Sequence, residues 1–119
     1  MKVKGPAVMR SMVIAGVRYR PPMATLSTHV LDTASGRPAA GVAVSLEKDG
    51  AVIARGVTDA DGRVAQLAAT LDPGRYRLVF ELDGRFFRRV ALDVEIGSES
   101  KYHVPLLVTP FGVTSYRGS

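Results

Sequence analysis

An all-β sandwich of two sheets and about eight strands is the fold class this sequence predicts, and three observations carry the prediction. Past Met23, apolar residues recur at every second position in short runs. Clusters of Gly, Pro, Asp and Ser divide those runs at intervals short enough for strands. At 119 residues the chain has room for one domain and one core, which two facing sheets would enclose.

The first strand sets Leu26, Thr28 and Val30 on one face and Ser27, His29 and Leu31 on the other. Ser35-Gly36-Arg37-Pro38 turns the chain, and Val42, Val44 and Leu46 form the next inward row. Lys48-Asp49-Gly50 and Asp59-Ala60-Asp61-Gly62 are loop-formers for backbone reasons. Asp72-Pro73-Gly74 leads into the clearest strand, where Tyr76, Leu78, Phe80 and Leu82 alternate with Arg75, Arg77 and Glu81. After Asp83-Gly84 there is space for at most one short helical turn, near Arg85 to Arg88. Val90, Leu92, Val94 and Ile96 then alternate with Arg89, Asp93 and Glu95. Beyond Gly97-Ser98, Tyr102, Val104, Leu106 and Val108 form a core row and leave His103, Pro105 and Leu107 outside. In the last strand Thr114, Tyr116 and Gly118 share one face, and Val113, Ser115 and Arg117 the other.

Composition narrows the function classes. Cysteine is absent, so disulfides and thiolate chemistry are excluded, which fits a reducing, cytoplasmic setting. The net charge of +5 invites a nucleic-acid or anionic-membrane reading. Its distribution opposes that reading: Lys2, Lys4, Arg10, Arg18 and Arg20 hold the whole excess, and from Pro21 onward eleven basic residues balance eleven acidic ones. Residues 1–22 are expected to be a flexible N-terminal extension, and residues 23–119 the domain. Lys2 and Lys4 before the short apolar run Met12 to Val17 have the outline of a signal peptide. Arg18 and Arg20 close that run early, however, and no small-x-small cleavage site follows. No stretch is long and apolar enough to span a membrane as a helix. A phosphate-cradling glycine loop, a Ser-His-Asp motif and a basic-aromatic nucleic-acid platform are all missing.

The outward row Pro105 and Leu107 is more apolar than a solvated sheet face requires, which suggests an interface between copies. Both histidines, His29 and His103, lie on outer faces beside it. The closing Tyr116-Arg117-Gly118-Ser119 sets a phenol, a fixed cation, a hinge and a hydroxyl together directly after a strand. Two histidines without a third histidine or a cysteine make a poor zinc site, so neither a metal nor a cofactor is expected.

His29-Val30-Leu31-Asp32, Gly36-Arg37-Pro38-Ala39 and Val42-Ala43-Val44 resemble the opening signature of transthyretin and the transthyretin-like proteins. Tyr102-His103-Val104-Pro105-Leu106-Leu107, with Pro110 and Phe111, resembles their second signature. The final tetrapeptide is similar to that of the enzyme branch of the family, the 5-hydroxyisourate hydrolases, and the match runs from about Ala24 to Ser119. The middle of the chain, with its Thr58 to Gly62 turn and Pro73-Gly74-Arg75-Tyr76, also resembles sandwich modules that do no catalysis, so it supports the fold alone. His29, Arg63, His103 and the tetrapeptide discriminate between the branches.

The resemblance implies hydrolysis of 5-hydroxyisourate to 2-oxo-4-hydroxy-4-carboxy-5-ureidoimidazoline, a cyclic amide opened by water in urate breakdown. It implies His29, Arg63, His103 and Ser119 as catalytic residues and Tyr116, Arg117 and Gly118 as substrate-binding ones. Parity turns Arg117 away from Tyr116, so anchoring the tail is an alternative role for it. A homotetramer built as a dimer of dimers is also implied, with the active sites between dimers. Three features depart from the family pattern: Val113 and Thr109 replace a common aromatic and a common serine, Asp83 to Lys101 is shorter than in many bacterial relatives, and residues 1–22 have no counterpart. The alternatives are a non-catalytic carrier of aromatic ligands and a structural sandwich module.

Overall fold

The computed structural model describes residues 23–118 and, ahead of them, Val13–Ile14 and Val17–Arg18. Those two short pieces, β1 and β2, pair antiparallel with each other in a sheet of their own. The rest of the 1–22 extension, and Ser119, lie outside the described residues.

Nine strands build the sandwich: β3 (Ala24–Asp32), β4 (Arg37–Pro38), β5 (Ala43–Lys48), β6 (Ala51–Val57), β7 (Arg63–Leu71), β8 (Gly74–Glu81), β9 (Arg89–Ile96), β10 (Lys101–Val108) and β11 (Val113–Ser115). One sheet runs β11-β10-β3, with β7 pairing β3 between Ala24 and His29 and β4 pairing it at Leu31 and Asp32. The other runs β6-β5-β8-β9 and is antiparallel throughout. Asp83 to Arg88 form turns and bends in place of the helical turn for which the sequence left room, and no helix occurs among the described residues.

The alternation seen in the sequence packs the core. Leu26, Val30, Leu106 and Val108 face Val44, Leu46, Leu78 and Phe80 between the sheets, all buried. Each such side chain stabilises the fold by roughly 1.5–3 kcal/mol on full burial. Thr28 shares this row because its hydroxyl has a partner: Oγ1 donates to the Val104 carbonyl at 2.6 Å, which removes the cost of burying it.

Two features position the outer face. β10 lies parallel to β3, pairing Lys101 with Thr25, His103 with Ser27, Pro105 with His29 and Leu107 with Leu31. The second concerns Pro105. The Gly118 N–H donates to the His103 carbonyl at 2.7 Å, so the odd-numbered residues of β10 turn their backbone groups toward β11. Pro105 has no N–H to give on that side. The regular ladder accordingly ends at Leu106–Ser115 and resumes only at the His103–Gly118 bridge. Ser115 Oγ donates to the Pro105 carbonyl at 2.8 Å. The last strand is therefore shorter than its alternating pattern predicts. Pro105, expected on an open face, is buried within the chain itself, while Leu107 is half-buried.

Candidate active site

Residues paired across a sheet project from the same face. The register thus builds two adjacent polar rows on the outside of the β3/β10 sheet: Arg63, His29 and Pro105 in one, Ser27, His103 and Gly118 in the next. His29 and His103 are half-buried and Arg63 is exposed. Four of the residues singled out by sequence, His29, Arg63, His103 and Gly118, are brought together here from three strands and the chain end.

The turn before β7 aims Arg63. Asp59 Oδ1 accepts the N–H groups of Asp61 (2.9 Å) and Arg63 (3.0 Å), and the Gly62 N–H donates to the Asp59 carbonyl at 2.9 Å. Gly62 has φ +74°, and a side chain there would collide with the Val30 carbonyl, so only glycine serves this close approach. The Val30 N–H donates to the Gly62 carbonyl at 2.7 Å and locks the turn onto β3. Register shifts between β3 and β7 then leave Arg63 directly opposite His29.

Ser27 Oγ lies 2.7 Å from His103 Nδ1, which holds the imidazole in place. Burial, then the charges of Arg63 and His29, push the His103 pKa below its usual 6.5, while a hydrogen bond that the ring donates to the Ser27 backbone works the other way. The three residues named, Arg63, His29 and Ser27, belong to the same two rows. Gly118 presses on the ring: a side chain at this position would sit 2.9 Å from His103 Cδ2 and 3.3 Å from its carbonyl oxygen.

Tyr116 and Arg117 lie elsewhere. Tyr116 is 56% exposed. With Arg117 it lines a mainly apolar cleft of about 330 Å³ at the open edge between β9 and β10, beside Leu92, Val94, Tyr102 and Val104. Arg117 Nη2 donates to Glu99 Oε1 at 2.6 Å, and its guanidinium carbon stands 4.7 Å from the centre of the Tyr102 ring. Among the described residues no group of three His, Cys, Asp or Glu side chains is placed to hold a metal ion.

Ser27 and Glu99 were not singled out as site residues from the sequence. Ser27 carried a usable signal, since it precedes His29 by two positions and must share its face. Its contact with His103 could not be read, because the parallel register of two segments 76 positions apart is a tertiary property.

A sandwich of this topology with a polar patch on one outer face is a transthyretin-like domain. The solved structure of a 5-hydroxyisourate hydrolase from Klebsiella pneumoniae matches with a TM-score of 0.76 at 44% identity, over 82% of this chain and all of that one. Sea bream transthyretin in complex with thyroxine matches with a TM-score of 0.72 at 28% identity, over 78% and 93%. Residues 26–118 fit the model of the HIUase/Transthyretin family, and the chain belongs to that family. Among its relatives, the 5-hydroxyisourate hydrolase of Caulobacter vibrioides is 41% identical over 115 residues, covering 82% of this chain and all of that protein. That of Salmonella dublin is 40% identical over 129 residues, covering 90% and 94%.

Proposed function

We propose that this chain hydrolyses 5-hydroxyisourate to 2-oxo-4-hydroxy-4-carboxy-5-ureidoimidazoline, opening a cyclic amide with water. One observation carries the reading of the site: two histidines and an arginine share adjacent rows of one sheet face, with a glycine of the chain end packed on one of the histidines. The Klebsiella and Caulobacter relatives, named for this hydrolysis, support it.

In this mechanism His103 is the general base. With Ser27 Oγ accepting from Nδ1–H, Nε2 keeps a free lone pair and takes a proton from water as the water oxygen bonds to the substrate carbonyl carbon. The same proton passes to the ring nitrogen as the C–N bond breaks. His29 orients the water, and Arg63 holds the oxygen-rich, anionic substrate and the charge growing on its carbonyl oxygen through a planar donor fork. Ser119 donates a hydrogen bond to substrate, Gly118 allows close approach, and Arg117 anchors the tail, while Tyr116 lies in the cleft beside Arg117 and takes no part within one chain. No metal or cofactor takes part in these steps.

The same chemistry sets a pH dependence. Protonation of His103 removes the base, and its pKa lies below 6.5, so kcat/KM should hold through neutral pH and fall on the acid side beneath that value. The linked stability has the same sign. The folded-state pKa is the depressed one, so protonation favours the unfolded chain; stability is full above about 6.5 and declines as pH drops through the window beneath it. Urate and urate oxidase generate the substrate, and loss of its short-lived absorbance reads the rate. No acceleration by this protein would leave the carrier or structural-module reading standing. Undiminished activity well below pH 6 would remove histidine as the base.

We further propose a cytoplasmic homotetramer, a dimer of dimers with sites between dimers. Within one chain Arg63 is exposed and His29, His103 and Leu107 are half-buried on this outer face. A second copy over this face would shield the histidines and enclose substrate. Sedimentation velocity checks this, and a fully active monomer would overturn it.

A further inference from the structure

We propose that Glu99 is a positioning residue that docks the chain end on His103, so that the site is complete only while Glu99 holds Arg117. This inference rests on the hydrolase reading above and assigns it a device remote from the reacting atoms.

The docking is needed because the ladder fails at this point. Pro105 offers no N–H, the regular β10–β11 pairing ends at Ser115, and among the described residues that follow, backbone pairing resumes only at the Gly118–His103 bridge. One backbone hydrogen bond is a weak tether for a short segment that must lose its conformational freedom. Side-chain contacts of Arg117 supply the rest. Nη2 donates to Glu99 Oε1 at 2.6 Å and reaches the Lys101 carbonyl at 3.4 Å, and the guanidinium lies over the Tyr102 ring. The receiving surface is itself fixed. The Tyr102 hydroxyl accepts the N–H groups of Gly97 (2.8 Å) and Glu99 (3.3 Å), so the ring under Arg117 also anchors the loop that presents Glu99.

Alternation converts this grip into placement of the site. Tyr102 and His103 project to opposite faces of β10, as Arg117 and Gly118 do at the chain end. Holding Arg117 against Tyr102 on one face sets Gly118 against His103 on the other, at a spacing too close for any side chain. A shift of the tail is therefore felt by the imidazole directly. Arg117 also holds the Glu99 carboxyl below its usual range, so the pair stays ionised further into acid than a free glutamate would.

The test is Glu99→Gln in the full chain. An exposed ion pair with a cation-π contact is modest in water, so kcat/KM is expected to fall roughly three- to tenfold. The acid limb of the pH profile should stay in place, since the residues whose charge and hydrogen bonding act on the His103 pKa, Arg63, His29 and Ser27, are unchanged. Hydrogen exchange at the Gly118 amide should accelerate by a similar factor. Added salt should slow the wild-type enzyme toward the variant, which itself responds little. Exchanging the charges, Glu99→Arg with Arg117→Glu, should recover part of both readouts. Wild-type kcat/KM and Gly118 exchange in Glu99→Gln would overturn the proposal, as would lost activity with unchanged exchange. Should the wild-type chain fail to hydrolyse 5-hydroxyisourate, the hydrolase reading falls, and Gly118 exchange still decides whether Glu99 docks the tail.

Discussion

Replacing His103 with asparagine is expected to lower kcat by roughly 10²–10⁴, the range that a positioned general base contributes. Asparagine keeps a hydrogen-bonding group of similar reach beside Ser27 and fits a half-buried site, so the sandwich should remain folded. The loss would then belong to chemistry: a neutral amide cannot take a proton from water. Ser27→Ala provides the graded comparison. It removes the 2.7 Å contact at Nδ1 and leaves the imidazole present, so about one hydrogen bond's worth of orientation is lost, a factor of roughly five. Stopped-flow decay of enzymatically generated 5-hydroxyisourate measures both variants. Equal losses in the two would mean that Ser27 does more than orient, and a His103→Asn enzyme with wild-type turnover would remove His103 from the mechanism.

Deleting residues 116–119 is expected to abolish most activity, by roughly 10² or more, while far-ultraviolet circular dichroism stays that of a β-sandwich. The large functional effect follows from geometry. Gly118 is in contact range of the His103 ring, and small misplacements in a reacting site are costly. The small structural effect follows from the inventory of what is lost. The buried core, from Ala24 to Val108, contains no residue of the tetrapeptide. Among the described residues the deleted backbone makes one hydrogen bond to β10, which contributes about 1 kcal/mol, or a few degrees in Tm for a domain of this size. A truncated chain that turns over at the wild-type rate would refute the role of the tail, and one that unfolds would show the tail to be structural.

The reach of sequence reasoning here follows physical lines. Alternation in the runs Leu26 to Val30, Tyr76 to Leu82 and Tyr102 to Val108 specified which side chains enter the core, because strand parity is local and burial rewards it everywhere. The same parity put His29 and His103 outside and turned Arg117 away from Tyr116, whereas beyond the ladder break the two line one cleft. Parity also put Pro105 in the outer row, where the folded chain covers it, and it erred at the length of the last strand, where a missing N–H interrupts the ladder and the strand pattern in the sequence runs on past the break. It also left room for a helical turn at Arg85 to Arg88 where the chain makes turns and bends, with Arg85 bonded to Asp32 at 2.8 Å.

By itself, then, the sequence determined the sandwich class, the inward rows, the uncharged balance of the domain and the identity of the polar residues available for chemistry. Only the tertiary structure decided that Ser27 meets His103, that Arg63 stands opposite His29, and that Glu99 and Tyr102 receive Arg117. The reason is the range of the forces involved. Side-chain alternation and turn chemistry act within a few residues. The parallel register of β3 on β10, the shifts between β3 and β7, and the break at Pro105 are set by pairing between distant segments, which only the folded chain brings into contact.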